Sequence, residues 1–566
     1  MKRPCLWFLG MALLLVPGWP ASICFAAEGA DLAGSYRETP NSLRLFIDQW
    51  TPQLPPTTKY TLDFLRTADE QTATLTLREA VLVGLENNPG IEVARLEPFR
   101  AAEQTMIEKS IFDPTLNMEF DKNFTIEPKG TTASTFFQPI QATRNRDYNL
   151  SLKKLLRTGA QVGISFLNNR FVSSLPNQVL KPQYRPQLGF TLLQPLLRDF
   201  GLGLTTIFVR IAENRERSSV FDYQARLAQL IQRITEAYWA VTFAKENLRV
   251  QQKGVELADA LSREAEARVR AGVLPPVAVL EARAEKARRE ERVIEAENGL
   301  AIARSDLRLT LNLNPERTFL PRKIEPAEAP SVVPVPIEPV RSRETALTRR
   351  PEVLAADLNV QNQALQLRYA ENQLLPRLDL KAGAGLTGLA GDLKPGQTNP
   401  FPGNYGTAVD RLGSGEFYNY SVGIVLQFPL GNGQARGNFA RTRIELDQAK
   451  ARLRDLVSQV TLDVEKALAD VETNFKRIQS TRQARELAEE NLRGQEKRFA
   501  VGLVTQKDVI DFQSRFLEAQ GAEVRAVTDY NNSISRLRLA QGTLLDYYNV
   551  RIEGPRKEAD PWWARF

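Results

Sequence analysis

The chemistry open to this chain is limited first by the residue types that it lacks. Its 566 residues include no histidine, which removes Ser-His-Asp hydrolysis, histidine-ligated zinc and most general-base catalysis. The two cysteines, Cys5 and Cys24, both lie near the N-terminus, so the body of the chain can hold no disulfide framework or cysteine-rich metal site. Acids and bases are abundant, but they follow predicted helices as coiled-coil surfaces require. The sequence therefore predicts a protein that is not an enzyme and that needs no cofactor or metal.

One pair of acids has a spacing that could concentrate charge. Asp508 and Asp511 are three residues apart, and residues with this spacing share one face of a helix. At the start of a helix, such a pair is stabilised by the helix dipole. Its role depends on the helices that carry it.

Long helices are predicted in both halves of the chain. No proline occurs within residues 196–274 or 430–554, so neither stretch contains a helix breaker. In the later stretch, apolar residues recur every three or four positions and form a narrow stripe on a charged helix, as in a coiled coil. A helix over about 438–500 would be on the order of 95 Å long. The sequence therefore predicts an elongated rod or tube.

Each long helix ends in a glycine turn. Gly272 and Gly502 are predicted C-caps, and Thr505 is placed to cap the helix that carries Asp508. A pair of prolines after Gly272 suits the first turn of the next helix. Each half therefore ends in a helical hairpin, although the glycines could serve only to reverse the chain.

The chain is a twofold repeat. Pro89 recurs as Pro351, a displacement of 262 positions, and Pro195 recurs as Pro429, a displacement of 234. The turn glycines are displaced by 230. Because the displacement is smaller for Pro195 than for Pro89, the first half carries an insertion between these two prolines.

Segments of alternating polarity predict strands with opposite faces in opposite solvents. The predicted strands are Leu116 to Ile126, Tyr184 to Gln194, Leu378 to Leu386 and Tyr418 to Phe428, with an extra hairpin formed by Tyr148 to Leu156 and Val162 to Phe171. A half-buried antiparallel sheet would show the same pattern. No segment after the N-terminal one is apolar enough for a membrane-spanning helix, so the mature protein would enter a membrane only as a barrel.

The N-terminus predicts export. Basic residues precede a short apolar run, and small residues precede a cleavage site after Ala26. A membrane anchor is disfavoured because the run is too short, and lipidation at Cys24 stays a minor alternative. Without this segment, the chain has 72 Lys and Arg and 67 Asp and Glu, a net charge of +5. Because these charged residues are dispersed along helices, nucleic-acid binding is disfavoured.

The predicted organisation is 1–26 signal peptide, 27–74 proline-rich arm, 75–314 first repeat, 315–350 proline-rich linker without a continuous helix, 351–545 second repeat and 546–566 C-terminal tail.

Taken in order, these features resemble the TolC-like outer-membrane efflux channel family over about Leu75 to Leu545. The resemblance rests on the repeat, two strands per half, the Gln-Pro-Leu or Phe-Pro-Leu junctions and the Val-Gly hairpin tip. It implies a mainly α fold with transmembrane β structure, in which coiled-coil helices form a periplasmic tunnel. Three chains would share a twelve-stranded barrel in the outer membrane of a Gram-negative-type bacterium. The implied partners are a periplasmic adaptor, an inner-membrane RND or ABC pump and outer-membrane lipid, without nucleic acid. An exported adaptor or coiled-coil structural protein without a barrel is the alternative.

The resemblance also assigns site residues. It places a periplasmic gate at Asp508 and Asp511, to which the first repeat would add Glu281. In three chains these acids would meet at one axis, where mutual repulsion would favour cation binding and partial protonation. The simpler interpretation is an acidic helix start that the helix dipole stabilises. The hairpin tips would contact the adaptor, through the residues Gly272, Val273, Gly502, Leu503 and Thr505.

Two features depart from the family pattern. The Tyr and Arg that lock the tips of the best-known members are replaced by Phe499 and Val504, so closure must rest on other contacts. The extra hairpin is expected to lie outside the barrel, because three chains would otherwise give eighteen strands above a twelve-helix tunnel.

Overall fold

The computed structural model describes residues 72–128, 140–174, 178–313, 323–550 and 552. The predicted signal peptide, nearly all of the N-terminal arm, the start of the linker and most of the C-terminal tail lie outside these residues.

The described residues form long helices and one main sheet. The α-helices are α1 (Leu77–Asn87), α2 (Pro89–Lys109), α3 (Leu202–Thr205), α4 (Ile207–Arg270), α5 (Val277–Thr310), α6 (Pro339–Arg349), α7 (Pro351–Asn372), α8 (Tyr405–Ser414), α9 (Gly433–Ala500), α10 (Gln506–Ala540) and α11 (Leu544–Tyr547). The strands are β1 (Thr72–Leu75), β2 (Thr115–Pro128), β3 (Ile140–Leu155), β4 (Gln161–Ser173), β5 (Leu180–Pro195), β6 (Lys323–Pro326), β7 (Arg377–Thr387), β8 (Ala390–Leu393) and β9 (Tyr418–Gln427).

The long helices are α4, with 64 residues, and α9, with 68 residues. At 1.5 Å per residue each is about 100 Å long. Helix α9 ends at Ala500 as predicted, and it buries one stripe of its predicted apolar pattern, including Val464, Val471 and Ile478. Helix α5 packs against α4, and α10 packs against both α9 and α4. Among the described residues, no helix has both the length and the apolar character needed to cross a bilayer.

The repeat is visible in equivalent elements. Helices α2 and α7 begin at Pro89 and Pro351, where a proline loses no helical hydrogen bond. One apolar core joins α1, α4, α5 and β6 around Ile231 and Ile234, whereas a second core joins α6, α7, α9 and α10 around Val464. The second core lies within the second half and the linker helix, whereas the first core also includes Leu544 and Tyr548 from the C-terminal end of the described chain.

The linker passes along α10. Tyr530 donates its hydroxyl hydrogen to the Val333 carbonyl at 2.7 Å, and the Asn531 amide donates to the Ser331 carbonyl at 2.9 Å. Helix α6 begins at Pro339 and occupies the last third of the predicted linker. The prediction that prolines prevent a continuous helix was wrong for this part, because Pro339 is the last of them and stands at the first helical position.

The main sheet is antiparallel and has the order β2-β3-β4-β5-β7-β9, with β8 paired to the start of β5. The expectation that the extra hairpin lies outside the wall was wrong, because this hairpin forms β3 and β4 between β2 and β5. Strand β3 pairs with β2 over fourteen residues, and β4 pairs with β5 over eleven. Both edges of the hairpin are thus hydrogen-bonded, and the chain contributes six consecutive strands instead of four.

The strand register places most of the apolar side chains of the sheet on one face. Leu116 of β2 lies opposite Leu152 of β3, which lies opposite Ile164 of β4. The same row continues through Phe190 of β5 to Ala384 of β7. Because successive side chains of a strand point to opposite faces, the polar residues between these positions share the other face.

Candidate functional site

The two hairpins turn at glycines in the left-handed region. The φ angle is +74° at Gly272 and +78° at Gly502. The N–H groups of Val273 and Leu503 each donate to the carbonyl five residues earlier at 2.9 Å, which is the Schellman pattern of a helix end. A Cβ atom on either glycine would meet no described atom within 4 Å. The predicted glycine helix ends are confirmed, with each glycine one residue beyond the C-cap, and the space around both turns is open.

Thr505 and Asp508 form a capping box at the start of α10. The Thr505 hydroxyl accepts a hydrogen bond from the Asp508 N–H at 3.3 Å. The Asp508 carboxylate accepts from the Thr505 N–H at 2.8 Å and from the Thr505 hydroxyl at 2.6 Å. These two bonds stabilise the charged carboxylate and lower the pKa of Asp508. Asp508 therefore serves the helix start, which is the simpler of the two roles that the sequence left open.

One contact joins the starts of α5 and α10. The buried Gln506 side chain donates to the Ala278 carbonyl at 3.0 Å. Ala278 is the position of the first repeat that corresponds to Asp508. Asp511 and Glu281 are both exposed and lie within two helical turns of this contact. The fold thus brings the acidic starts of both returning helices to the same end of the hairpin pair.

An apolar cluster replaces the polar lock that Phe499 and Val504 cannot form. Phe499 is 3% exposed and packs with Leu261 of α4 and Val509 of α10. Val504 packs against the same cluster. The two positions that depart from the family pattern therefore join the hairpins through burial of apolar surface instead of through hydrogen bonds.

Arg268 adds a polar contact between the hairpins, which sequence reasoning missed. Its guanidinium donates to the Phe499 carbonyl at 2.9 Å and lies 4.3 Å from the centroid of the Phe499 ring. An ion pair with Glu264 at 2.7 Å holds the guanidinium from the α4 side. Arg268 is one of several arginines at the end of α4, and its partner is 231 residues away. The sequence offered no signal that would distinguish it from the others.

Apolar side chains surround the tips and point into solvent in the single chain. The exposed fractions are 67% for Val273 and 75% for Leu503, both predicted tip residues. The neighbouring residues Val277, Leu280 and Val501 are also more than half exposed. Exposed apolar groups clustered in this way are typical of protein interaction surfaces.

Comparison with known proteins identifies a family. The chain matches the family model for outer membrane efflux proteins over residues 203–313 and 343–543, which together exceed half of the chain. The first range contains α4 and α5, and the second contains α7 to α10. No curated protein sequence matches the chain.

Solved outer-membrane channels share the fold. The Campylobacter jejuni CmeC channel is 17% identical, with a TM-score of 0.55 over 87% of this chain and 94% of that chain. The Vibrio cholerae outer membrane protein VceC is 17% identical, with a TM-score of 0.57 over 82% and 96%. The open state of the Neisseria gonorrhoeae MtrE channel is 18% identical, with a TM-score of 0.54 over 83% and 89%.

Proposed function

This chain belongs to the outer membrane efflux protein family, and we propose that it is the exit duct of a tripartite efflux or type I secretion system. It is an outer-membrane protein that extends into the periplasm, and its family and structural neighbours are channels rather than enzymes. In this proposal a periplasmic adaptor couples it to an inner-membrane RND or ABC pump. The chain supplies a passive path, and the pump supplies the energy.

The observation that carries this proposal is the pair of open edges of the main sheet. Within the described residues, β2 and β9 each have a strand partner on one side only, and every residue of both strands is exposed. Long unpaired edges are templates for pairing with another chain. Because β2 and β9 run in opposite directions, β9 of one copy can continue the antiparallel sheet at β2 of the next. Closure around an axis would enclose a lumen lined by the polar face.

We propose a homotrimer with a wall of eighteen strands, because each chain supplies six consecutive strands. Membrane barrels of 16–18 strands leave an aqueous channel. The four long helices of each chain, α4, α5, α9 and α10, would give twelve helices around the continuing passage.

The mass of the detergent-solubilised protein tests the assembly. We expect three chains per particle, and we expect the band to shift on heating in a denaturing gel, as barrels do. A stable monomer extracted from the membrane would contradict the proposed trimeric duct.

We propose that the exposed apolar tips are the adaptor contact. Val273 and Leu503 extend from turns with open space around them, and the tips lie at the end of the hairpins remote from the sheet. Burial of these side chains by a partner would contribute about 25 cal/mol for each Å² of apolar surface. Gly272, Gly502 and Thr505 would act by fixing the turn conformation that presents them.

We also propose that the same end of the hairpins forms the gate. Asp508, Asp511 and Glu281 of three chains would gather negative charge at one axis and favour cations there. The Arg268 contact with Phe499, together with the apolar cluster around it, would hold the two hairpins of each chain together in the closed state. Opening would then require the second hairpin to leave these contacts.

A further inference from the structure

One row on the apolar face of the main sheet is basic. Lys122 of β2 lies opposite Arg146 of β3, and Arg146 lies opposite Arg170 of β4. Since neighbouring strands are about 4.8 Å apart, the three backbone positions span about 10 Å. The side chains of Lys122 and Arg146 are exposed, and that of Arg170 is half-buried.

Aromatic residues flank this basic row on both sides. Toward the helices, the rings of Phe120 and Tyr148 meet edge to face at 5.8 Å between centroids. On the other side, the guanidinium of Arg144 lies 5.3 Å from the centroid of Phe124 and adds a fourth cation. The ring of Tyr184, on β5, lies 6.0 Å from the guanidinium of Arg170.

Acidic residues of these three strands are all on the opposite face. Alternation along the strands places Glu119, Asp121, Glu127 and Asp147 there. Three of them accept hydrogen bonds from asparagine amides of the same face, namely Asp121 from Asn123, Glu119 from Asn149 and Asp147 from Asn169. Like charges directly opposite each other destabilise a sheet. The basic row is therefore uncompensated by its own strands, and it is complementary to an external anion.

The basic row lies on the sheet at a distance from the helical end of the molecule. Strand β2 leaves the helical end of the molecule at Thr115, so Lys122 lies seven residues further, about 24 Å along the strand. Because the helices extend into the periplasm, the basic row is toward the cell exterior. Apolar residues such as Leu116 and Met118 occupy this face between the helices and the basic row. An aromatic row followed by long basic side chains is suited to the boundary between acyl chains and headgroups.

We propose that Lys122, Arg146 and Arg170 bind the phosphate groups of a phosphorylated glycolipid in the outer leaflet of the outer membrane. The guanidinium groups would bind phosphate oxygens in pairs, and the lysine would act as a point charge. The apolar and aromatic side chains beside the row would contact the acyl chains of the same lipid. The proposal rests on the lipid exposure of this sheet face and is independent of cargo, pump and gate.

Lipid binding by the full-length protein in detergent tests the site. The probes are lipopolysaccharide, the same lipopolysaccharide after removal of its lipid phosphates, phosphatidylglycerol and inorganic phosphate. The test variant is Lys122→Gln with Arg146→Gln and Arg170→Gln. The matched control removes three cations from the polar face of the same sheet, through Lys153→Gln, Arg185→Gln and Lys381→Gln. We expect the test variant to bind phosphorylated lipopolysaccharide at least tenfold more weakly than the wild type, since each basic group near a lipid surface contributes to binding.

The control variant should bind as the wild type does, and dephosphorylation of the glycolipid should weaken wild-type binding as much as the triple substitution. Equal binding by the test variant and the wild type would overturn the proposal, as would an equal loss in the control. Equally tight binding of phosphatidylglycerol or of inorganic phosphate would contradict the assignment to a glycolipid. If the triple variant fails to assemble, Arg146→Gln and the charge-conserving Arg146→Lys replace it, and only the former should bind more weakly.

Discussion

The first hairpin, α4 with α5, and the second hairpin, α9 with α10, turn at glycines of the same conformation but start their returning helices differently. Helix α5 follows Pro276 without a side-chain cap, whereas α10 begins with the capping box of Thr505 and Asp508. The second hairpin also carries two acids at positions where the first has Ala278 and Glu281. The two repeats therefore share a backbone design, and the second has the greater charge at its tip.

The arginines that join the helices of each hairpin differ as well. In the first hairpin Arg289 is 2% exposed, donates to Glu285 at 2.8 Å and also donates to the Gly254 carbonyl of α4 at 3.1 Å. In the second hairpin Arg485 and Glu523 pair at 2.6 Å in a partly exposed position. Loss of one partner from a buried pair costs more than loss of one from an exposed pair. From this difference we expect the first hairpin to be the more stable of the two, and the second hairpin to move when the channel opens.

Substitution of the turn glycine should have the largest effect on function. In Gly502→Val a β-branched residue would have to adopt φ of +78°, which strains the turn, so we expect export to be lost while trimers remain in the membrane. Gly502→Asn should retain export because asparagine tolerates this conformation. Gly494→Val, inside α9 with open space around it, is the control for a helical glycine. Unchanged export in Gly502→Val would remove the tip from the functional residues.

The buried arginine should matter more for stability than the exposed one. We expect Arg289→Ala to raise hydrogen exchange across α4 and α5, equivalent to about 3 kcal/mol of local stability, since the buried Glu285 would keep only the exposed Arg288 as an ion-pair partner. Arg485→Ala should change exchange in α9 and α10 by about 1 kcal/mol or less. The double substitution Arg289→Met with Glu285→Leu should recover most of the loss, because no buried charge remains. Equal losses in both single variants would contradict the proposed difference between the hairpins.

The contact between the hairpins should have a smaller effect, confined to gating. Arg268→Gln removes the guanidinium that contacts the Phe499 ring and carbonyl, so we expect single channels to open more often, with unchanged trimer mass. Arg270→Gln is the matched control, because Arg270 is exposed and donates to the Glu266 carbonyl of its own helix. If both variants gate as the wild type does, Arg268 contributes nothing to closure.

Local patterns predicted most of the fold. The alternating polarity that begins at Leu116 predicted β2, and the glycines at 272 and 502 predicted both helix ends. Thr505 was predicted as a cap from its position alone. In each case the physical signal lies within a few residues of the element, and no distant partner is needed.

The failures concern contacts between distant parts of the chain. The strands of the extra hairpin were predicted, but their position between β2 and β5 depends on pairing partners that strand periodicity does not specify. The contact of Arg268 with Phe499 also joins two repeats, so one helix alone gives no sign of it. Helix α6 was missed because its first residue, Pro339, was counted with the prolines that break helices.

Single-channel recording of the acidic pair tests whether this chain is a duct with a charged gate at its periplasmic end. The recording compares the wild type with Asp508→Asn combined with Asp511→Asn, with and without a trivalent cation on the periplasmic side. We expect cation selectivity and block in the wild type, and loss of both in the variant. In the single chain, Thr505 lowers the pKa of Asp508, an effect that opposes the rise in pKa expected when carboxylates of three chains repel one another. Equal conductance, selectivity and block in the two proteins would contradict the gate.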